Sequence, residues 1–136
     1  DHAIMIDTLE TATTWHNLPT LYQKIETAVK DALKSFKTPP LVFCHISHSY
    51  NDGASLYFTF IAKQAVGVEA EQWQAVKVAA SDAIVANGAT ITHHHGVGRD
   101  HSHWAKIEHG KTGMLALSAV KKVFDPSGIL NPGKFL

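Results

Sequence analysis

An α+β domain with the element order β-α-β-β-α-β is the fold this sequence predicts. Period-two runs rich in Ile, Thr and Phe, two stretches with apolar residues at helical spacing, and an Asn51-Asp52-Gly53-Ala54 turn between two of the runs all point to it.

The first run, residues 3–15, is rich in Ile and Thr with partial alternation and suits a strand. Asn17 then offers an N-cap and Pro19 sits in the first helical turn, where its missing N–H costs nothing. Leu18, Leu21, Tyr22, Ile25, Ala28, Val29, Ala32, Leu33 and Phe36 recur at helical spacing, and Thr38-Pro39-Pro40 ends the helix. Residues 41–50 and 55–64 read as a hairpin about the Asn-Asp-Gly turn. In its second strand Leu56, Phe58, Phe60 and Ala62 share one face, and Ser55, Tyr57 and Thr59 share the other. In its first strand Val42, Cys44 and Ile46 oppose His45, Ser47 and Ser49. One side of the hairpin is therefore fit to cover helices, and the other is a polar wall.

A second helix is expected from about Glu69 to Ala86, carrying Trp73, Val76, Ala80, Ala83 and Ile84 inward and closed by Asn87-Gly88. A short strand, 89–92, then runs into His93. The order is that of the split βαβ, ferredoxin-like arrangement: four antiparallel strands with both helices on one face. Beyond it the sequence predicts the loop 93–100, short helices over 102–109 and 111–124, and an irregular tail. Met114, Leu117, Val120, Val123 and Phe124 are expected to form the buried stripe of the last helix.

The bulk numbers are those of one globular domain. The chain has 136 residues, 45% hydrophobic and 18% charged, with no formal net charge. No basic footprint marks a nucleic-acid partner, and no apolar run is long enough to span a bilayer. A single cysteine, Cys44, rules out an internal disulfide and reads as an inert buried thiol in a reducing, cytoplasmic setting, with peripheral membrane association allowed. The chain opens inside a strand-like run without a start methionine, so a piece of a longer polypeptide is expected.

Ten histidines are many for this length, and five fall between His93 and His103. The segment His93-His94-His95-Gly96-Val97-Gly98-Arg99-Asp100-His101 is the leading candidate for chemistry. If strand geometry persists, His93 and His95 share a face and His94 takes the other. Imidazoles suit proton transfer and anion binding near neutral pH, and Gly96 and Gly98 permit close backbone approach. A metal site from His93, His95, His101 and His103 is conceivable, but adjacent histidines rarely close a tetrahedral site without partners from elsewhere, and no native metal is expected. Tyr57 stands on the polar hairpin face, where a tuned hydroxyl could move a proton. His45 and His48 read as structural. Gly96-x-Gly98 lacks the third glycine of a dinucleotide fingerprint, so any nucleotide must be held mostly outside this chain.

Three segments together resemble the C-terminal part of FAD-linked oxidases of the vanillyl-alcohol oxidase type. They are Asp7-Thr8-Leu9-Glu10-Thr11-Ala12, Thr92-His93-His94-His95-Gly96-Val97-Gly98 and Asp125-Pro126-Ser127-Gly128-Ile129-Leu130-Asn131-Pro132-Gly133-Lys134. The tail marks the superfamily. The triple histidine with Gly-Val-Gly, and Gly53-Ala54-Ser55-Leu56-Tyr57-Phe58, more narrowly resemble the alkyldihydroxyacetonephosphate synthases.

The resemblance implies that residues 1–136 form a cap over a flavin whose FAD-binding domain belongs to the same polypeptide and is absent here. It implies FAD as cofactor, a small-molecule or lipid-like substrate, and exchange of the acyl chain of acyl-dihydroxyacetone phosphate for a fatty alcohol without net redox change. It assigns proton transfer to Tyr57 and places His93, His94 and His95 beside the flavin and the substrate head. Asn131 and Lys134 are carried over as cofactor-approaching residues, and Arg99 as a partner for an anionic head group. A homodimer is compatible with all of this. Two rivals stand beside it: an FAD-dependent dehydrogenase or oxidase of a 2-hydroxy acid or alcohol, which usually shows Glu-His-Gly where this chain has His-His-Gly, and a stand-alone ferredoxin-like module with a histidine metal site.

Overall fold

The computed structural model describes residues 3–136. Six elements follow in order: β1 (Ile4–Thr14), α1 (Leu18–Lys34), β2 (Leu41–Ser49), β3 (Gly53–Lys63), α2 (Glu69–Ala86) and α3 (Ser102–Phe124). The three strands form one antiparallel sheet in the order β1-β3-β2. β3, the strand with the most buried residues, is central, as expected of a strand whose face must be fully covered.

Side-chain alternation does what the pattern in β3 requires. Phe58 and Phe60 are fully buried, with Leu56 and Ala62 nearly so, under the two helices. Leu21, Ile25, Val29 and Leu33 of α1 and Val76, Ala80 and Ile84 of α2 complete that core. Tyr22 stacks on Phe58 with ring centroids 5.9 Å apart. Burying each such aromatic stabilises the fold by about 2–3 kcal/mol.

Several details depart from the sequence reading. Asn17 does not cap α1 with its side chain. Its amide instead donates to the Asn87 carbonyl and the Thr13 hydroxyl, tying the start of α1 to the end of α2. In α2 the deepest polar residue is Gln72, wholly buried: its amide donates to Thr38 Oγ1 and the Lys63 carbonyl and its carbonyl accepts from Ala65 N–H.

Residues 89–92 lie where a fourth strand beside β1 would run, but they form no strand. Thr90 N–H donates once to the Ala12 carbonyl and Thr11 Oγ1 donates to the Thr90 carbonyl. The Thr90 carbonyl is thus taken by a side chain and not by a β1 amide, and the Ile91 N–H donates to the Glu108 carboxylate. Pairing stops after one backbone bond, and the chain leaves the sheet into the histidine loop.

The two short C-terminal helices are present as one run broken at Gly110, whose φ of 63° and ψ of 179° lie outside the helical region. Only Trp104 and Ala105 of α3 are buried, held against α2 by a Trp104 Nε1–H to Asp82 hydrogen bond of 2.7 Å. Among the described residues the expected buried stripe is not realised. Past the break, Val120, Val123 and Phe124 are exposed while Met114 and Leu117 are only half-covered, because the second half of α3 projects from the body of the domain. Among the described residues no helix is long and apolar enough to cross a membrane.

Candidate functional site

The sheet has a face without helices, and the chemistry gathers there. Register places Glu10 of β1, Tyr57 of β3 and His45 of β2 side by side in one row on this face. The next row along the strands is Thr8, Thr59 and Phe43, and the one beyond is Ile6, Ile61 and Leu41. Successive rows are about 7 Å apart. The face therefore grades from polar at one end to exposed apolar side chains at the other, Ile6, Leu41 and Phe43 among them.

At the polar end β2 is irregular. Ile46 faces Leu56 and Ser49 faces Ala54, so Ser47 and His48 together stand opposite the single residue Ser55. This bulge breaks the alternation that would send His48 to the helix side, and brings both Ser47 and His48 to the polar face.

Glu10 is the centre of the site. It is 5% exposed. The Ser47 hydroxyl donates to its Oε1, and the Ser47 and Ser55 oxygens are 2.6 Å apart. His93 Nδ1 lies 3.3 Å and His48 Nδ1 3.5 Å from Oε1, and His95 Nε2 lies 3.0 Å from Oε2. Burial by itself raises the carboxyl's proton affinity. The hydrogen bonds from Ser47, His93 and Ser55, with the charge of His93, outweigh it and bring the pKa from an ordinary 4.5 down to about 2. Glu10 is thus an anion at any physiological pH, held by three imidazoles and a serine pair.

The three consecutive histidines converge. Alternation assigns His94 to the opposite face, but residues 93–95 are not a strand, and His94 adopts a left-handed φ of 62°. That turn folds its ring back until it lies 4.0 Å from the His93 ring and 4.8 Å from the His48 ring, centroid to centroid. The Tyr50 hydroxyl is 3.0 Å from His93 Nε2 and 3.5 Å from His94 Nε2. Tyr57 stacks on His45 at 5.3 Å and meets His95 edge-on at 5.8 Å. Tyr57 and the histidine triplet, proposed from sequence, thus share one wall with Glu10, Ser47, His48, Tyr50 and Ser55, which sequence reasoning did not select. Glu10 lay inside a quoted motif, and its place as one of two carboxylates, with Asp7, in an Ile/Thr-rich strand was the available signal.

Other sequence candidates stand apart. Arg99 is exposed on the turn before α3 and takes part in no ion pair among the described residues. Asn131 and Lys134 are exposed in the tail, and among the described residues no hydrogen bond joins them to the imidazole cluster. The tail is anchored through Asp125, which accepts from the Ile129 and Leu130 amides and from Lys121. His101 leaves the cluster for a half-buried position where burial, then Lys77, pushes its pKa down. His103 packs edge-on against Trp104. Burial pushes the Cys44 thiol up to about 12, which leaves it unreactive.

An α+β domain with an uncovered, histidine-lined sheet face is the class this geometry defines. The chain belongs to the family of FAD linked oxidases, C-terminal domain, which matches residues 1–135. It is 32% identical over 136 residues to alkyldihydroxyacetonephosphate synthase of Dictyostelium discoideum, covering all of this chain and 22% of the relative. To the synthase of the same description from Trypanosoma brucei brucei it is 31% identical over 135 residues, covering 99% of this chain and 22% of the relative. A solved structure of an alkyldihydroxyacetonephosphate synthase superposes with a TM-score of 0.66 at 26% identity, over 97% of this chain and 21% of that one. The chain thus spans about a fifth of the length of these relatives. Membership places it in a family of flavin-dependent enzymes.

Proposed function

We propose that this chain is the lid of an FAD-dependent enzyme most like alkyldihydroxyacetonephosphate synthase. Its helix-free sheet face lies over the flavin and the substrate. The observation that carries the reading is the convergence of Tyr57, His93, His94 and His95 around buried Glu10 on a bare sheet face, in a chain similar to that synthase along its whole length.

The donor set is consistent with FAD. Imidazoles, a phenol and apolar side chains suit the ring of a flavin, whereas the described residues contain no glycine-rich strand–turn–helix to cradle a diphosphate. On this reading a second domain of the same polypeptide holds most of the cofactor, which supplies the reactive ring when bound. Leu41, Phe43 and Ile6, together with the outward Val120, Val123 and Phe124 of α3, are then surfaces for that domain or for an apolar substrate tail.

The substrate is acyl-dihydroxyacetone phosphate, whose acyl chain is exchanged for a fatty alcohol. The gradient along the sheet, from imidazoles to exposed Phe43 and Leu41, fits a phosphate-bearing head with a long apolar tail. Tyr57 moves the proton. Its residue stands in the row of Glu10 and His45, and its ring stacks on His45 and meets His95 edge-on, so two imidazoles that can accept a proton flank it. His93, hydrogen-bonded to Glu10, and His95, with Nε2 3.0 Å from its Oε2, are oriented by that carboxylate toward the substrate head. Arg99 binds the anionic group from the loop, and Asn131 and Lys134 approach the cofactor from the tail.

The test uses the full-length protein that carries this chain. It is expected to be yellow, to exchange acyl for alkyl chains on acyl-dihydroxyacetone phosphate, and to resist anaerobic bleaching by 2-hydroxy acids. Tyr57→Phe is expected to abolish turnover with flavin still bound. Bleaching by a 2-hydroxy acid without exchange would replace the substrate assignment, full activity in Tyr57→Phe would remove that residue from the mechanism, and stoichiometric FAD on the 136-residue chain alone would overturn the division of labour.

A further inference from the structure

We infer that His48, His93 and His94 form a binding site for a zinc-class divalent cation. Each brings one ring nitrogen to a common point, and the three atoms lie within 4.8 Å of one another. The sequence argued against a metal because neighbouring histidines lack a partner from another element. The bulge in β2 supplies that partner, His48, on the same side as the loop.

Four features make this more than a crowd of imidazoles. First, the second nitrogens of two rings are held: His93 Nδ1 and His48 Nδ1 face Glu10 Oε1 at 3.3 and 3.5 Å. A carboxylate behind a histidine fixes its tautomer and raises its basicity, the usual support for a metal-bound imidazole. Second, with Nδ1 on the carboxylate side, Nε2 is the ring nitrogen left to each for a ligand, and that of His93 already faces the Tyr50 hydroxyl. Third, Tyr50 Oη stands 3.0 Å from His93 Nε2 and 3.5 Å from His94 Nε2, an oxygen within reach of the same point. Fourth, His94 occupies a left-handed conformation that a non-glycine residue adopts at some cost, and that strain is what swings its ring into the cluster.

The donor type selects the ion. Three nitrogens and no carboxylate in direct reach suit Zn²⁺ and its first-row neighbours, while Mg²⁺ and Ca²⁺ require oxygen ligands. Three protein ligands also leave a position open for water or for an oxygen of an anionic substrate.

The measurement needs no flavin, so its outcome is independent of the lid reading. Untagged protein, freed of metal with a chelator, is titrated with Co²⁺ and then with Zn²⁺ in competition. One equivalent of Co²⁺ is expected to give the visible absorption of a four-coordinate, nitrogen-ligated ion, displaced by Zn²⁺. His48→Ala and His94→Ala lie at exposed positions and should leave the fold intact by circular dichroism; each is expected to remove the absorption. Glu10→Gln is expected to weaken binding by about 10- to 100-fold, and His16→Ala, remote in the β1–α1 turn, to leave it unchanged. No four-coordinate spectrum at one equivalent would overturn the site, as would a spectrum that survives both His48→Ala and His94→Ala.

Discussion

Replacing Glu10 by Gln tests how the site is held together. The substitution keeps the side chain's shape and removes its charge from a position that is 5% exposed and in contact with His93, His95 and Ser47. The drop in its pKa from 4.5 to about 2 measures how much more strongly the folded protein holds the carboxylate than the acid. At about 1.4 kcal/mol for each tenfold change in proton affinity, that is roughly 3 kcal/mol. The folded pKa lies below the unfolded one, so the contribution is fully present above pH 4.5 and is lost as pH falls from there toward 2. In chelator-treated protein followed by urea unfolding, Glu10→Gln is expected to be less stable than the parent by about 3 kcal/mol at pH 7. The gap should narrow through the window from pH 4.5 to 2, because acid removes from the parent what the mutation has already removed. Other carboxylates titrate in both proteins and cancel in the difference. A gap under about 0.5 kcal/mol at pH 7, or one that stays constant down to pH 2, would refute the claim that an ionised Glu10 organises this face.

Three further outcomes follow from the fold. A Cβ at Gly53 would overlap the Thr13 carbonyl oxygen of the paired strand, so Gly53→Ala is expected to lower stability by about 1–3 kcal/mol in chemical denaturation; unchanged stability would mean that β1 and β3 can separate there without loss. Gln72→Ala strands the Ala65 amide, the Lys63 carbonyl and the Thr38 hydroxyl, and a loss of about 2–4 kcal/mol is expected, with Gln72→Glu at neutral pH no better because a buried anion replaces a donor. Asp125 is held below its usual range by its bond to Lys121 first, with the Ile129 and Leu130 amides adding to it. It therefore supports the tail above the ordinary aspartate range and releases it as pH falls through the lowered value. The amide resonances of Ile129 and Leu130 should shift together in that acid range, and Asp125→Asn should abolish the shift.

Much of the architecture was legible because it is local. The period-two pattern of β3 put Phe58 and Phe60 inward, the helical spacing of α1 named its whole buried stripe, and Asn51-Asp52-Gly53 marked the turn. Two errors came from the same source, a local pattern that the tertiary packing did not follow. Residues 89–92 have strand-like composition, but the Thr11 hydroxyl takes the Thr90 carbonyl that a β1 amide would need, and only one backbone bond forms. The apolar stripe of α3 reads as core by spacing alone, yet past Gly110 its apolar residues are half-covered or exposed among the described residues.

The candidate site divides along the same line. Composition and order alone identified the histidine triplet and Tyr57 as the residues to watch, because imidazoles and a phenol on a polar face are chemically conspicuous wherever the chain goes. Alternation along a strand can also say which side such residues take while the strand stays regular. It could not say that one extra residue in β2 turns His48 over, that a left-handed bend at His94 brings its ring back beside His93, or that Glu10, about 80 residues from the histidines in sequence, becomes their common partner. Those facts depend on bulges, single dihedral angles and contacts between distant segments, and these are set when the whole sheet assembles rather than by any run of neighbouring residues.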